Sequence, residues 1–488
     1  MFFHSLTLAE ILPKKRKIVI WRKMKKTFLI LLVLIANNLL AQKTQKLDSL
    51  FKKLSSNKEF NGNVLIAEKG KVIYKNSFGL ANETSKEELN ENSIFELASV
   101  SKQFTAFAIV ILKEKGKLKY EDKIGDILPQ LSFYKNITVR NLLNHTSGLP
   151  DYMKILDSLL IDKTWDNKTK IANNKDILDV YEKYKPSLLF EPNEKWEYSN
   201  TGYAILASII EKVSGKSYAE FLKAEIFKPL KMNNTFVYTR RLKPQKINNY
   251  AFGYVYSDSL NINQLPDQIK GMDLYVYTLD GIVGDGTVNS TINDLLKWDK
   301  NLYTNKLVSK NGMNEVFNPT TLNNGIKTKY GFGWFIDNNE TFGKIVNHSG
   351  SWPGYISYIE RHIDNDKTII LLQNNDNKNT KIPSKQVRQI LYNIKPLTLN
   401  EDYLKKISGN YKTEKGDIKK VLFENGKLYI PFSEDDKFEL EAVSKTLFKI
   451  IGFEPEVKYE FIFENDKVKK YIVTQPEQGI RKEAVKIE

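Results

Sequence analysis

Residues Phe104–Leu112 read FTAFAIVIL, and a helix made of them has almost no polar face. A surface helix needs such a face, so one without it must be covered nearly all round. The segment therefore predicts a helix that opens near Ser99, runs to Glu114 through the core, and leaves its polar N-terminal end, Ser99-Val100-Ser101-Lys102, at a cleft. A chain of 488 residues, 41% apolar and 27% charged, can bury such a helix without disulfide support. It contains no cysteine, which excludes cysteine nucleophiles, Cys-bound zinc and iron–sulfur clusters.

The surrounding pattern is α+β. Lys46–Leu54 reads as a short amphipathic helix. The apolar runs Gly62–Glu68 and Lys71–Ser77 form a hairpin around Lys69-Gly70. Thr138–Asn144 reads as a helix capped by Thr138, and Thr201–Val213 as one stopped by Gly215. Four strand-like runs follow, Tyr330–Ile336, Lys344–His348, Tyr355–Arg361 and Thr368–Asn374, with a closing helix at Ser384–Tyr392. Strands at both ends with helices between predict one antiparallel sheet assembled from the two ends, flanked by helices and a helical region. Pro396–Asn400 marks a boundary. Beyond it Ile418–Glu424 and Lys427–Phe432 flank Asn425-Gly426, and Val457–Glu464 and Lys467–Thr474 flank Asn465-Asp466. Residues 401–488 thus read as a small all-β domain, barrel or sandwich.

The formal charge of +16 is uneven, because residues 1–41 hold eight Lys or Arg against one acid. Met24-Lys-Lys followed by a short apolar run to Ala36 reads as a secretory signal ending near Ala41, with Met24 as the true start. An uncleaved membrane tether is the alternative. Either way the expected location is exported, periplasmic or secreted. The remaining lysines are scattered among Asn, Asp and Glu, which describes a solvated surface and not a nucleic-acid footprint. The three domains are then residues 1–41, 45–395 and 401–488.

Several chemistries drop out. The four histidines, His4, His145, His348 and His362, form no His-Glu-x-x-His, and there is no Gly-x-Ser-x-Gly, Walker loop or Gly-x-Gly-x-x-Gly. No metal or cofactor is called for. Ser99 and Lys102 remain, three apart and so on one helical face. A serine hydroxyl is a weak nucleophile until a neighbouring base takes its proton. Spacing alone also selects Ser49/Lys52 and Ser55/Lys58, but only Ser99 opens a buried helix. Tyr198-Ser199-Asn200, at a loop-to-helix junction, offers a phenol and an amide; Tyr74/Asn76, Tyr134/Asn136 and Tyr303/Asn305 share the spacing. His348-Ser349-Gly350-Ser351 lies on an expected strand, where a glycine marks a close approach.

In this order, Ser99-x-x-Lys102, Tyr198-x-Asn200 and His348-Ser349-Gly350 resemble the motifs of the penicillin-recognising serine hydrolases, in the form seen in class C β-lactamases, D-alanyl-D-alanine carboxypeptidases and related esterases. Leu142–Pro150, Gly284-Asp285-Gly286, Tyr330–Trp334 and Trp352-Pro353-Gly354-Tyr355 extend the likeness over about residues 45–395. The resemblance implies a β-lactamase/transpeptidase-like fold and an acyl-enzyme on Ser99, with Lys102 and Tyr198 moving the proton. It implies that Asn200, His348, Ser349, Gly350 and Ser351 bind the substrate, and that the Ser99 and Ser351 amides form the oxyanion hole. The usual Lys-Thr-Gly is absent, and His348 stands in its place. That favours a D-amino-acid peptidase, carboxypeptidase or esterase over a β-lactamase. A non-catalytic binder of a peptide or partner is the other alternative. The expected partner is a small molecule or peptide with an amide or ester carbonyl.

Overall fold

The structure, a computed structural model, describes residues 40–161, 171–257, 260–395, 397–433, 436–451, 457–475 and 479–487. Most of the signal segment, residues 1–39, lies outside them. Among the described residues no helix is long and apolar enough to cross a membrane. The chain divides into two compact units, residues up to Ile390 and residues from Leu391.

The first unit is built on a six-stranded sheet drawn from both ends of its sequence. Helix α1 covers residues 40–56 and leads into β1 (Gly62–Glu68) and β2 (Lys71–Phe78). The late strands are β3 (Phe335–Asn339), β4 (Gly343–Trp352), β5 (Tyr355–His362) and β6 (Lys367–Gln373). They order as β3-β4-β5-β6-β1-β2, every neighbour antiparallel. The join is β1 against β6, with Leu65 opposite Ile370. Both strands are buried over most of their length, which their continuous apolar runs require.

Helix α2 (Lys102–Glu114) carries the unbroken apolar run, and every residue from Lys102 to Leu112 is buried. It packs on α3 (Asn200–Ser214), whose N-cap is Ser199 and whose C-terminal Gly215 is left-handed at φ 70°. Phe104 and Phe107 meet Trp298 of α4 (Ile292–Asn301) at ring distances of 4.7 and 4.9 Å. Fully burying each such aromatic or branched side chain contributes about 1.5–3 kcal/mol. Two polar side chains among them are bonded, although Gln103 Nε2 has no partner among the described residues. Thr105 Oγ1 donates to Gly284 O at 2.6 Å and meets the Tyr218 hydroxyl, while Gln103 Oε1 accepts from Trp298 Nε1 at 3.0 Å. The Thr105 bond ties the core helix to the loop that presents Asp285.

Some boundaries differ from the sequence reading. The helix expected from Ser99 opens as a 3-10 turn, Ala98–Ser101, and becomes α-helical at Lys102. The first strand of the late group begins at Phe335 and not Tyr330, because Gly331 N–H closes a turn on Trp334 O.

The second unit is a closed eight-stranded barrel behind a short helix, Glu401–Ile407. Its strands run from Gly409–Thr413 to Ile480–Ile487, and pairing of Tyr411 with Lys486 closes the circle. Tyr411, Phe448, Phe461 and Tyr471 fill the interior.

Candidate active site

The backbone before α2 is clamped from three sides. Leu97 N–H donates to Val288 O at 2.8 Å, and Leu97 O accepts from Ser357 Oγ at 2.6 Å and from Val100 N–H at 3.1 Å. Ser101 Oγ accepts from Val288 N–H at 3.1 Å. Held this way, Ala98 takes φ 46°, a region that costs a non-glycine residue energy. The strained step turns Ser99 into a cavity of about 110 Å³, which Asn200, Asp285 and Ser351 also line.

Lys102, one turn on, is fully buried and uses all three of its protons. Nζ donates to Ser99 Oγ at 3.1 Å, Asn200 Oδ1 at 2.8 Å and Asp285 O at 2.8 Å. Asn200 comes from the first turn of α3, and Asp285 O from the loop tied to Thr105. Gly284 stands at φ 106°, and a Cβ there would lie 2.5 Å from Tyr203 O, so this loop needs a glycine. The Tyr198 ring centroid lies 5.0 Å from Lys102 Nζ, over the same ammonium.

Strand β4 approaches from the other side. β3 pairs with it only as far as Asn347, so His348–Trp352 run on beyond β3 along that edge while β5 holds the other. At Gly350 a Cβ would sit 2.3 Å from Leu97 O and 2.9 Å from Ser99 N, so the strand lies directly on the nucleophile's backbone. Ser349 and Ser351 face outward and are exposed; Ser351 lines the cavity and Ser349 does not.

His348 departs from the expectation that it faces the substrate. It is 1% exposed; Nε2 pairs with the Tyr330 hydroxyl at 3.0 Å and Nδ1 with Ser349 O at 2.6 Å. Burial, helped by the nearby Lys102 charge, pushes its pKa down to about 3, so it is neutral at pH 7. In this arrangement it supports the wall and offers no cation to a carboxylate.

Four residues of the site escaped the sequence reading as candidates. His145 is buried with its ring 4.4 Å from that of Tyr198, and its Nδ1 accepts from Ser199 N–H at 3.1 Å. It therefore orients the Tyr198-Ser199-Asn200 segment, and burial holds its pKa well below the usual value. Asp285 receives a bond from the Tyr152 hydroxyl at 2.9 Å, and burial raises its pKa against the pull of Lys102. Glu96 lines the same cavity. His145 and Asp285 lay inside motifs already noted, and Glu96 lies in the Phe95–Ser99 stretch that leads into the nucleophile; Tyr152 gave no local signal. A larger hollow, about 670 Å³, lies around Lys123, Arg140 and Glu191 and contains none of these groups.

The family model described as Beta-lactamase matches residues 47–392, most of the chain and all of the residues just described. The chain belongs to the beta-lactamase family. A penicillin-binding protein of Bacillus subtilis (strain 168) is 43% identical over 457 residues, 91% of this chain and 99% of its own. Among solved structures, the octameric penicillin-binding protein homologue from Pyrococcus abyssi superposes with a TM-score of 0.62 at 24% identity, covering 91% of this chain and 99% of that one. D-amino acid amidase from Ochrobactrum anthropi SV3 gives 0.55 at 24%, covering 73% and 96%. These two likenesses are of fold. The beta-lactamase family is one of serine hydrolases, and this chain is a member of it.

Proposed function

We propose that the protein is an amide or ester hydrolase, a peptidase or esterase before a β-lactamase, that works through an acyl-enzyme on Ser99. One observation carries the reading: the buried Lys102 ammonium holds the Ser99 hydroxyl and the Asn200 amide at once, at the mouth of a cavity.

In the first step Ser99 Oγ bonds to the substrate's carbonyl carbon, and its proton passes to the Lys102–Tyr198 pair, which must enter the step one proton short to accept it. That pair returns the proton to the leaving nitrogen or oxygen as the scissile bond breaks. Water then attacks the ester, loses its proton along the same route, and the acid departs as Ser99 recovers its hydrogen. Protons in such a pair belong to both groups together. The charge developing on the carbonyl oxygen falls to the Ser99 and Ser351 amides. The packing of Gly350 on Ser99 N supports this, and one such donor is worth about 2.7–4 kcal/mol. Asn200 holds Lys102 and offers its amide N–H to the substrate.

A neutral, buried His348 disfavours substrates that rely on a carboxylate, which ranks β-lactams lower. Turnover of a p-nitrophenyl ester, a D-amino-acid peptide amidated at its C-terminus and nitrocefin tests the ranking. Ester or peptide is expected to exceed nitrocefin by at least tenfold in kcat/KM, and the reverse order would refute it. We read the protein as exported, with N-terminal sequencing of the secreted form as the check on cleavage near Ala41.

A further inference from the structure

The wall of the cavity beside Ser99 has a definite charge character. Its lining includes the carboxyls of Glu96 and Asp285 and the rings of Tyr238, Tyr275 and Trp352, and no Lys, Arg or His. Nearby cations are already committed. Arg241 pairs with Asp267 at 2.7 Å and Asp280 at 3.1 Å, Arg240 pairs with Asp267, and Lys102 spends its three protons on neutral oxygens. Glu96 is different. Among the described residues its carboxyl makes no hydrogen bond and no ion pair within 4 Å, and it lies three residues before the nucleophile. Its strand, Phe95–Glu96, is fixed by pairing with Val288–Ser290, so the backbone that carries the group is held at the cavity wall. The Tyr275 and Trp352 rings, 5.5 Å apart, add faces that attract a cation.

We propose that this cavity selects substrates carrying a primary ammonium near the scissile carbonyl, with Glu96 as the residue that pairs with it. The proposal rests on the reading of Ser99 as the acylated residue and names the substrate class for it: amides or esters of amino compounds, and not carboxylate-ended peptides. A carboxylate entering the same space meets the Glu96 carboxyl, and the cations nearest to it, Lys102 and Arg241, are already bonded to other oxygens. An ammonium in the cavity meets the Glu96 carboxyl on a partly buried wall, where the attraction is stronger than in water.

The pairing also has a pH signature. Burial, outweighing the Arg241 and Arg240 charges and aided by Asp280, pushes Glu96 up to about 7. Tyr250 and Tyr355, the other titratable groups whose charge would bear on it, are held neutral by burial. Attraction for a cation is therefore lost as pH falls through 7.

The test uses two opposite charges of one size. Fluorophosphonate labelling of Ser99 in the full chain is timed with benzylammonium or benzoate as competitor. Benzylammonium is expected to protect at least tenfold more strongly at pH 8, with the preference shrinking severalfold at pH 5.5. Glu96→Gln is expected to erase most of the preference and Glu96→Asp to keep most of it; the ratio of the two competitors makes each variant its own reference. Equal or stronger protection by benzoate in the parent overturns the proposal, as does a ratio that Glu96→Gln leaves unmoved. If Glu96→Gln fails to fold, the parent's pH series decides alone, and a preference constant from pH 8 to 5.5 overturns it. Absence of labelling on Ser99 would instead remove the acyl-enzyme reading beneath it.

Discussion

Replacing Gly350 with alanine adds one carbon where β4 rests on the nucleophile. That carbon would lie 2.3 Å from Leu97 O, 2.4 Å from Ser357 Oγ and 2.9 Å from Ser99 N. Ordinary contact needs about 3.5 Å, so the strand must retreat by roughly 1 Å. Ser357 cannot rotate aside cheaply, since its hydroxyl is bonded to Leu97 O at 2.6 Å in a buried site. Overpacking of this kind costs about 1–3 kcal/mol of stability. The larger effect falls on rate, because the retreat carries the Ser351 amide away from Ser99, and a 1 Å error in such a site costs about 10²-fold. The assay is kcat on a p-nitrophenyl ester beside urea unfolding. Gly286→Ala, whose added carbon meets nothing within 4 Å, is the reference for stability. Gly350→Ala retaining kcat within about threefold, with unchanged stability, would refute the argument from packing.

Asn200→Ala removes one of three acceptors from a buried ammonium; hydrogen bonds to charged groups contribute about 1.5–3 kcal/mol, so kcat/KM is expected to fall about 10–100-fold, measured on the same ester. His348 is held neutral in the fold but takes a proton near pH 6.5 when unfolded, so its contribution to stability falls as pH drops below 6.5 and continues to fall to about 3. From pH 7 to 5 that contribution falls by about 2 kcal/mol. Glu96 works the other way, its raised pKa adding stability as pH falls, so the comparison must be made between parent and His348→Gln. The variant is expected to lose less stability over that interval by urea unfolding. Thr138→Ala breaks the capping box that Thr138 and Asn141 form at helix Val139–Leu143, and about 1 kcal/mol of stability should go with it.

The sequence exposed those features whose cause is local. An apolar run without a polar face can only be a buried helix, and Lys102–Leu112 are buried. Ser99 and Lys102 meet because one helical turn separates them. The antiparallel sheet was legible from two sets of apolar runs, although its join, β1 against β6, spans some three hundred residues that periodicity does not see. The closing of the barrel was not legible either, since pairing of Tyr411 with Lys486 leaves no mark in either strand alone. Within the site, Glu96 was visible as a neighbour of the nucleophile, but nothing marked it as facing the cavity, because its strand is two residues long, too short for any alternation. Tyr152 was hidden because its partner, Asp285, is supplied by a distant loop. The burial of His348 was not legible in the sequence, because it and the Tyr330 bond depend on the turn that delays β3 to Phe335.

Everything in the account turns on a covalent bond between substrate and position 99. Rapid quenching of a slow ester or penicillin-type substrate, followed by mass spectrometry of the digested chain, reads that bond directly. The acyl mass is expected on the peptide containing Ser99, appearing before the free acid accumulates and missing in Ser99→Ala. An adduct on another residue, or the same adduct in Ser99→Ala, would contradict it.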